Sequence, residues 1–234
     1  MKIIKYLSIF LKSFTEKKIS YSYGGVDSLL KNIFKDIDEG FYVDIGSGHP
    51  IKNNNTYLLN KKGWNGINVD LDKNNIQLFN LYRKKDINIC MAISDKVGEA
   101  DLYFYHKKSP INTISKSNAD YQKAKVSEIK KIPTDTLNNI ISKTIFSNKK
   151  IDCLCIDVEG SEYKVLENFD FIKYEPKIIV VELLDLSIKK LEIKNLNVEN
   201  MISSKLYNLI TSKNYTLSNI LHSDLIFVNN NFRD

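Results

Sequence analysis

The segment Gly40-Phe41-Tyr42-Val43-Asp44-Ile45-Gly46-Ser47-Gly48 says most about the architecture of this 234-residue chain. Its aromatic and β-branched residues predict a buried β-strand over 40–45. The two glycines that follow let the backbone turn sharply and approach a ligand closely. Ligands of open α/β sheets bind beyond the carboxyl ends of the strands, so this turn is a candidate binding site. A glycine turn needed only for packing is the alternative.

Short apolar runs alternate with longer amphipathic stretches on the C-terminal side of this segment. The alternation is typical of βαβ units and predicts a parallel sheet. The predicted strands are 40–45, 64–70, 87–93, 151–158 and 177–183, with a hairpin or edge strand at 101–106. The run over 151–158 has no polar face, which predicts a central position in the sheet.

Helices are predicted over 54–62, 73–84, 134–145 and 201–212, and from Ser161 onward. In the second of them, Ile76, Phe79 and Leu81 supply the apolar positions. The last two apolar runs, 215–221 and 224–229, have no helix between them and must pair antiparallel or lie apart. We therefore predict an α/β fold with a seven-stranded, mostly parallel sheet, an antiparallel C-terminal strand and helices on both faces.

The domain organisation predicted from the chain is a single domain over 21–234 with a helical extension over 1–20. Residues 1–14 are apolar but contain three lysines, so the uninterrupted stretch is too short to span a bilayer. We expect this extension to pack on the domain, with peripheral membrane contact as the alternative. No export signal is recognisable, so a cytoplasmic location is expected. The polar stretch near 107–131 is interpreted as a lid-like insertion.

Charge and metal-binding residue types argue against several classes of protein. The chain has 34 basic and 28 acidic residues and a net charge of +6, but lysine is spread evenly and forms no basic stripe. No nucleic-acid partner is therefore expected. The cysteines lie in apolar runs and predict reduced core thiols, not disulfides or a zinc site. The histidines are too scattered to suggest a metal cluster. These residues are Cys90, Cys153, Cys155, His49, His106 and His222.

A carboxylate follows the second predicted strand, as expected beside a nucleoside. Asp70 lies 26 residues after Asp44 and can accept both hydrogen bonds of a ribose diol. Asp72 is the alternative ligand, although its position is more typical of a helix cap. The glycine turn and Asp70 together predict a ligand that contains adenosine.

Three acids follow the most apolar strand of the chain. Asp157 and Glu159 flank its end and can face the cleft, where they would bind acceptor hydroxyls or take up a proton. Glu162 is placed to help cap the helix that Ser161 begins. Structural capping by all three acids is the alternative.

Several of these segments resemble the FkbM family of S-adenosylmethionine-dependent methyltransferases. The match runs in order over about residues 20–230. The matching segments are SYGGVD (22–27), FYVDIGSGHP (41–50), NTY (55–57), GWNGINVD (63–70), RKKD (83–86), AISD (92–95), Asn112-Thr113, PTDTL (133–137) and IDVEGSE (156–162). Many members have Ala-Asn after the Asp-Ile-Gly turn, whereas this chain has Ser47-Gly48-His49-Pro50.

The resemblance implies a class I, Rossmann-like methyltransferase fold that binds S-adenosylmethionine. It implies that Asp44 and the turn lie near the methionine part of the cofactor, with Asp70 on the ribose. It also implies Ser94 or Asp95 near the adenine. The cofactor residues expected in the turn are Gly46, Ser47 and Gly48. The usual activity of such enzymes is O-methylation of sugar or polyketide hydroxyls.

Methyl transfer from a sulfonium is an in-line displacement, so the protein mainly positions donor and acceptor. A hydroxyl acceptor must also lose its proton. His49 has the ordinary pKa best suited to that task, whereas Asp157 or Glu159 could serve instead or hold a divalent cation. The sequence does not indicate a metal. His106 and the lysines of 107–131 are expected to contact the acceptor.

Other functions share parts of this pattern. An NAD-dependent oxidoreductase has a similar turn and acid, but the third glycine is missing and the closing strands differ. A non-catalytic binding subunit with the same fold is a second alternative. A nucleic-acid methyltransferase would carry an Asn/Asp-Pro-Pro-Tyr segment where this chain has Asp157-Val158-Glu159-Gly160.

Overall fold

The computed structural model describes residues 20–106, 109, 111–122, 125–183 and 197–233. Its strands are β1 (Phe41–Ile45), β2 (Asn65–Asp70), β3 (Ile87–Cys90), β4 (Ala92–Ile93), β5 (Gly98–Phe104), β6 (Glu128–Asp135), β7 (Cys153–Ile156), β8 (Ile178–Glu182), β9 (Tyr215–Leu221) and β10 (Asp224–Asn229). Seven of these strands form the main sheet, in the order β3-β2-β1-β7-β8-β10-β9.

The main sheet has the predicted topology. Strands β3, β2, β1, β7 and β8 are parallel, and β10 pairs antiparallel with both β8 and β9. Val43 of β1 pairs with Ile67 on one side and Leu154 on the other, so β1 and β7 lie at the centre. All five parallel strands therefore end at the same edge, which is where a ligand binds in such sheets. The predicted fold class is confirmed.

The helices are short and flank the strands. They are α1 (Val26–Ile33), α2 (Tyr57–Lys61), α3 (Lys73–Tyr82), α4 (Lys116–Tyr121), α5 (Leu137–Ser142), α6 (Glu162–Glu167), α7 (Phe171–Tyr174), α8 (Val198–Ser203) and α9 (Lys205–Thr211), followed by a 3-10 turn at Asn230–Phe232. The predicted helix over 201–212 is wrong as one element. Ser204 interrupts it, because its extended backbone caps the second helix through a hydrogen bond from Tyr207 N to Ser204 Oγ.

A second, three-stranded sheet differs from the prediction. The expected strand over 87–93 is divided, because Ala92 and Ile93 leave the main sheet and pair with Thr134 and Asp135 of β6. Strand β6 also pairs antiparallel with β5. Residues 128–131 of the expected lid therefore belong to a sheet. The predicted helix over 134–145 is shortened to α5, whose N-cap is Thr136.

Two hydrophobic clusters cover the two faces of the main sheet. Successive residues of β1 alternate between them, with Phe41 in one cluster and Tyr42 in the other. Helices α1 and α2 pack on the Tyr42 side, and α5 to α9 pack on the Phe41 side. Cys153 and Cys155 are buried as predicted, but Cys90 is exposed because it ends an edge strand. Leu81, expected in the core, is also exposed.

Nothing in the described part of the chain forms a helix long and apolar enough to cross a bilayer. The predicted N-terminal extension falls on residues 1–20, of which 1–19 lie outside the described residues.

Candidate active site

The glycine turn is held between the ends of β2 and β7. Gly46 N and Ser47 N both donate to Val69 O, at 2.9 and 3.1 Å. Gly46 has φ +76°, and a Cβ built on it would lie 1.6 Å from the backbone oxygen of Asp157. No side chain fits there, so the turn depends on glycine for close contact with the strand end that carries the acids.

Asp44 and Ser47 are buried polar residues beside this turn. Asp44 is 5% exposed, and its Oδ2 accepts from Thr56 Oγ1 at 2.7 Å and Asn54 Nδ2 at 3.2 Å. Within the described residues, Asp44 Oδ1 receives no hydrogen bond from another side chain, and the buried Ser47 Oγ has no partner. Burial raises the pKa of Asp44. Buried polar atoms in native proteins are normally bonded, so the Ser47 hydroxyl favours a polar ligand at the turn.

Asp70 joins the same turn to the end of β2. Its Oδ2 accepts from Gly48 N at 2.7 Å, and its Oδ1 accepts from Asp72 N at 2.7 Å. Burial raises its pKa to about 6. Asn75 Nδ2 also donates to Oδ1, at 3.2 Å. A carboxylate has about four acceptor positions, so Asp70 retains one for a ligand hydroxyl, and a diol would displace the long bond from Asn75. Asp72 itself caps α3 by accepting from Asn74 N at 2.8 Å, which is the capping role considered for it.

Ser94 and Asp95 directly follow β4, which comes one residue after β3 in the chain. Met91 N donates to Asp70 O at 3.1 Å, which brings the β3–β4 connection against the end of β2. Ser94 Oγ donates to Asp95 Oδ1 at 2.8 Å, and this bond lowers the pKa of Asp95. The two side chains thus form one polar unit beyond the third parallel strand.

Three carboxylates converge beyond β7 and β8. Oxygens of Asp157, Glu159 and Glu182 all lie within 4.8 Å of one another, a spacing that a divalent cation could bridge. Asp157 has surface open to solvent, yet the protein packed around it and the neighbouring Glu182 and Glu159 raise its pKa well above the usual range. Glu182 was not identified from the sequence, because its proximity depends on β8 lying next to β7.

Glu159 is held in an uncommon backbone conformation by the expected lid. Its φ is +56°, and its carbonyl oxygen accepts from Thr113 Oγ1 at 2.8 Å and Asn118 Nδ2 at 2.5 Å. A bulky residue in this region costs of the order of 1–3 kcal/mol unless its surroundings fix it. Glu162 Oε1 accepts from Val158 N and Gly160 N, both at 3.0 Å, so Glu162 ties this loop together from inside.

His49 has a structural task in the turn that follows Gly48. Its Nδ1 accepts from Ile51 N and Lys52 N, both at 3.1 Å. Burial, Lys52 and Arg83 lower its pKa. In the described part of the chain, no hydrogen bond joins His49 to Asp157 or Glu159.

A groove of about 310 Å³ adjoins the acids on the side of α4 and α9. Asn118 and Gly160 link it to the Glu159 loop, and Glu162 forms part of its wall. Its remaining lining is mixed, with the hydroxyls of Ser117 and Ser204 beside the ring of Tyr163. Hydroxyl, amide and aromatic groups in one groove suit a polar organic acceptor.

Residues that sequence reasoning missed include a buried arginine. Arg83 is 2% exposed and hydrogen-bonds to Asn54 and Thr56, which themselves contact Asp44. Two segments of the family resemblance, NTY and RKKD, contain Thr56 and Arg83 and offered the only signal for this network.

The chain matches one known family of protein domains. The model of the methyltransferase FkbM domain matches residues 44–209. No curated protein matches the chain. Among solved structures, a TehB-like SAM-dependent methyltransferase from Corynebacterium glutamicum aligns with a TM-score of 0.44 and 10% identity over 96% of each chain. The match to the FkbM domain covers most of the chain. The chain belongs to the FkbM family of S-adenosylmethionine-dependent methyltransferases.

Proposed function

We propose that this enzyme O-methylates a hydroxyl group of a sugar, glycan or related small metabolite. The observation that supports it best is the contact between the glycine turn and Asp157. This contact brings the proposed cofactor-binding turn against the backbone of Asp157, a residue whose side-chain pKa is raised. A raised pKa makes a carboxylate a stronger proton acceptor, which suits a hydroxyl that must lose its proton as it attacks.

The proposed roles follow the order of the strand ends. Asp44, Gly46, Ser47 and Gly48 would receive the methionine part of S-adenosylmethionine, and Asp70 the ribose. Ser94 or Asp95 would contact the adenine. When bound, the cofactor supplies an electrophilic methyl group, and the chain's own residues orient it and the acceptor. The Ser47 Oγ, buried without a partner among the described residues, fits a ligand with polar groups of this kind.

Asp157 or Glu159 is the proposed base, with His49 as a third candidate. The hydrogen bonds that His49 Nδ1 accepts from two backbone amides favour the acids over it. Glu182 would keep the proton affinity of Asp157 high by repulsion. The acceptor would lie in the groove between α4 and α9, and the reaction would take place in the cytoplasm, where the donor is made. Contact of the acceptor with His106 and the lysines of 107–131 stays a prediction, because the groove lining includes none of them and Lys107, Lys108 and Lys123 lie outside the described residues.

The first test is calorimetric titration with S-adenosylhomocysteine, beside Asp70→Ala and with NAD as a control. We expect binding in the micromolar range, about −8 kcal/mol, lost in Asp70→Ala. No binding by the wild-type protein would contradict the proposed function. Binding of NAD instead would favour the oxidoreductase alternative, which the family assignment argues against.

The second test separates catalysis from binding. Sugars, uronic acids and glycan fragments would be screened for release of S-adenosylhomocysteine, each with Mg²⁺ and with EDTA. Asp157→Asn should lower turnover at least a hundredfold while the cofactor still binds, since general-base catalysis contributes about 10²–10⁴-fold. Glu167→Gln, at the end of α6, is the matched control. Loss of activity in EDTA would show that the carboxylates act as cation ligands, and no turnover with any acceptor would favour a binding subunit.

A further inference from the structure

Arg83 is a buried cation with no carboxylate in direct contact. It follows α3 and is 2% exposed, and no ion pair involves it within the described residues. A buried charge is costly unless it is paired or fully hydrogen-bonded. The guanidinium group of Arg83 therefore needs its hydrogen bonds, and their destinations indicate its task.

Those hydrogen bonds converge on the segment that follows the glycine turn. Nε and Nη2 donate to Pro50 O at 3.1 and 2.6 Å. Nη2 also donates to Asn54 Oδ1 at 2.5 Å, and Nη1 donates to Thr56 Oγ1 at 2.8 Å. A planar guanidinium presents its donors in a fixed fork, so it fixes three acceptors relative to one another.

Thr56 and Asn54, the two side chains that accept from Arg83, both also contact Asp44. Thr56 Oγ1 accepts from Arg83, so its single proton is left for an acceptor on the other side. Two acceptors are within reach, Asp44 Oδ2 at 2.7 Å and Asn54 Oδ1 at 3.1 Å, and the shorter distance favours Asp44. Because Asn54 Oδ1 is held by Arg83, its amide group donates to Asp44 Oδ2 at 3.2 Å and to Ser47 O at 3.0 Å. Asn54 and Thr56 are almost completely buried, so water cannot replace either link.

We propose that Arg83 is a positioning residue, which holds Asp44 and the Ser47 peptide in the geometry that receives the cofactor. It acts through Thr56 and Asn54 and does not touch the ligand. With one oxygen of Asp44 fixed by two donors, the other oxygen is oriented for the ligand before binding. This inference rests on the proposed role of Asp44 in cofactor binding.

A second branch of the same network provides an internal control. Arg83 Nη1 lies 3.3 Å from Tyr42 Oη and 3.4 Å from Asn68 Oδ1. Tyr42 and Asn68 both donate to Asp86 Oδ2, and Asp86 Oδ1 accepts from Gly66 N at 3.0 Å. This branch joins β1, β2 and the loop after α3, and none of its hydrogen bonds reaches the glycine turn.

The experiment cuts each branch separately. Replacing Arg83 itself would leave buried acids without a cation and threatens folding, so the informative variants are Thr56→Val, Thr56→Ser and Tyr42→Phe. Each would be titrated with S-adenosylhomocysteine by calorimetry and unfolded with urea. We expect Thr56→Val to weaken binding about tenfold, or about 1.4 kcal/mol. Thr56→Ser keeps the hydroxyl and should restore affinity to within about threefold of wild type. Tyr42→Phe should lower stability while affinity stays within about twofold.

The outcomes are distinguishable. If the wild-type protein binds and Thr56→Val binds as tightly, the positioning role is wrong while the proposed function stands. Equal losses of affinity in Thr56→Val and Tyr42→Phe would also overturn it, because the network would then act only through overall stability. If the wild-type protein does not bind S-adenosylhomocysteine at all, the proposed function is wrong, and so is this inference, which rests on it.

Discussion

Asp224 and Glu182 are directly opposite each other in the antiparallel pair of β10 and β8. Like charges in this arrangement repel. Burial, with a further contribution from Glu182, raises the pKa of Asp224 to about 7. Ser223 Oγ donates to Glu182 Oε1 at 2.9 Å, whereas Glu182 Oε2 is buried without a partner among the described residues. Strands β8 and β10 thus add two acids to the site.

Asp224 makes stability depend on pH in a direction opposite to that of a salt-bridged acid. Its pKa is about 7 when folded against an ordinary value of 3.8, so the folded state holds a proton that the unfolded state has lost between these values. Stability should therefore fall as pH rises from about 4 to about 7. Asp224→Asn should gain about 1–2 kcal/mol over wild type between pH 5 and pH 8, allowing for partial solvent contact.

Urea unfolding of both proteins at pH 5 and pH 8 measures this difference. Asp36→Asn is the control, because the Asp36 side chain is 87% exposed. A difference that is the same at both pH values would show that Asp224 is ionised throughout.

Asp70 should make cofactor affinity depend on pH. Its pKa is about 6, and only the ionised form can accept both hydrogens of a diol. The affinity for S-adenosylhomocysteine should be constant above pH 7 and about tenfold lower at pH 5 than at pH 8. Calorimetry across this range checks the prediction. Asp70→Asn should bind weakly with no such dependence, and a tenfold loss that persists in this variant would assign the titration to another group.

Gly46 and Gly63 offer a matched pair of alanine substitutions. Both have positive φ, +76° and +109°, but a Cβ on Gly46 would meet Asp157 O at 1.6 Å while nothing lies within 4 Å of one on Gly63. Gly63→Ala should cost only backbone strain, about 1–2 kcal/mol in urea unfolding, with cofactor affinity kept. Gly46→Ala should cost more than about 3 kcal/mol or abolish binding. Similar losses in the two variants would mean that the turn is free to move away from Asp157.

His49 should prove replaceable in catalysis. Its Nδ1 accepts two backbone hydrogen bonds, so His49→Gln removes a turn contact and should cost about 0.5–1.5 kcal/mol of stability. Turnover of an acceptor found by the screen should be unchanged at every pH. If turnover by the wild-type protein falls at low pH and turnover by His49→Gln does not, His49 would again be the preferred base.

Strands β1, β2, β7 and β8 could be predicted because each is a local apolar run that ends at glycine or an acid. Both closing strands were located to the residue. The small sheet could not be predicted in this way. Ala92 meets Thr134 across 42 residues, and Pro133, interpreted as the start of a helix, lies in β6 opposite Glu99. Proline is tolerated wherever its missing N–H is not needed, so the presence of Pro133 did not distinguish a strand from the start of a helix.

In the candidate site, too, residues with a local sequence signal were predicted, and residues placed there by contacts distant in sequence were not. Asp44, the glycine turn, Asp70 and Asp157 were found because each lies at or just beyond the end of a predicted strand, and the structure places all of them at one edge of the sheet. Their roles in binding remain predictions. Glu182 and Arg83 were missed. Glu182 ends an apolar run and Arg83 lies in a lysine-rich stretch, so both side chains look solvent-exposed until the strand order and the burial are known.

The bonds from Thr113 and Asn118 to the Glu159 carbonyl join two parts of the site that are more than 40 residues apart in sequence. These donors help to fix the Glu159 peptide in its uncommon backbone conformation. A substitution at Thr113 or Asn118 is therefore expected to disturb the backbone that carries one of the three clustered carboxylates, although neither of these two side chains belongs to the cluster.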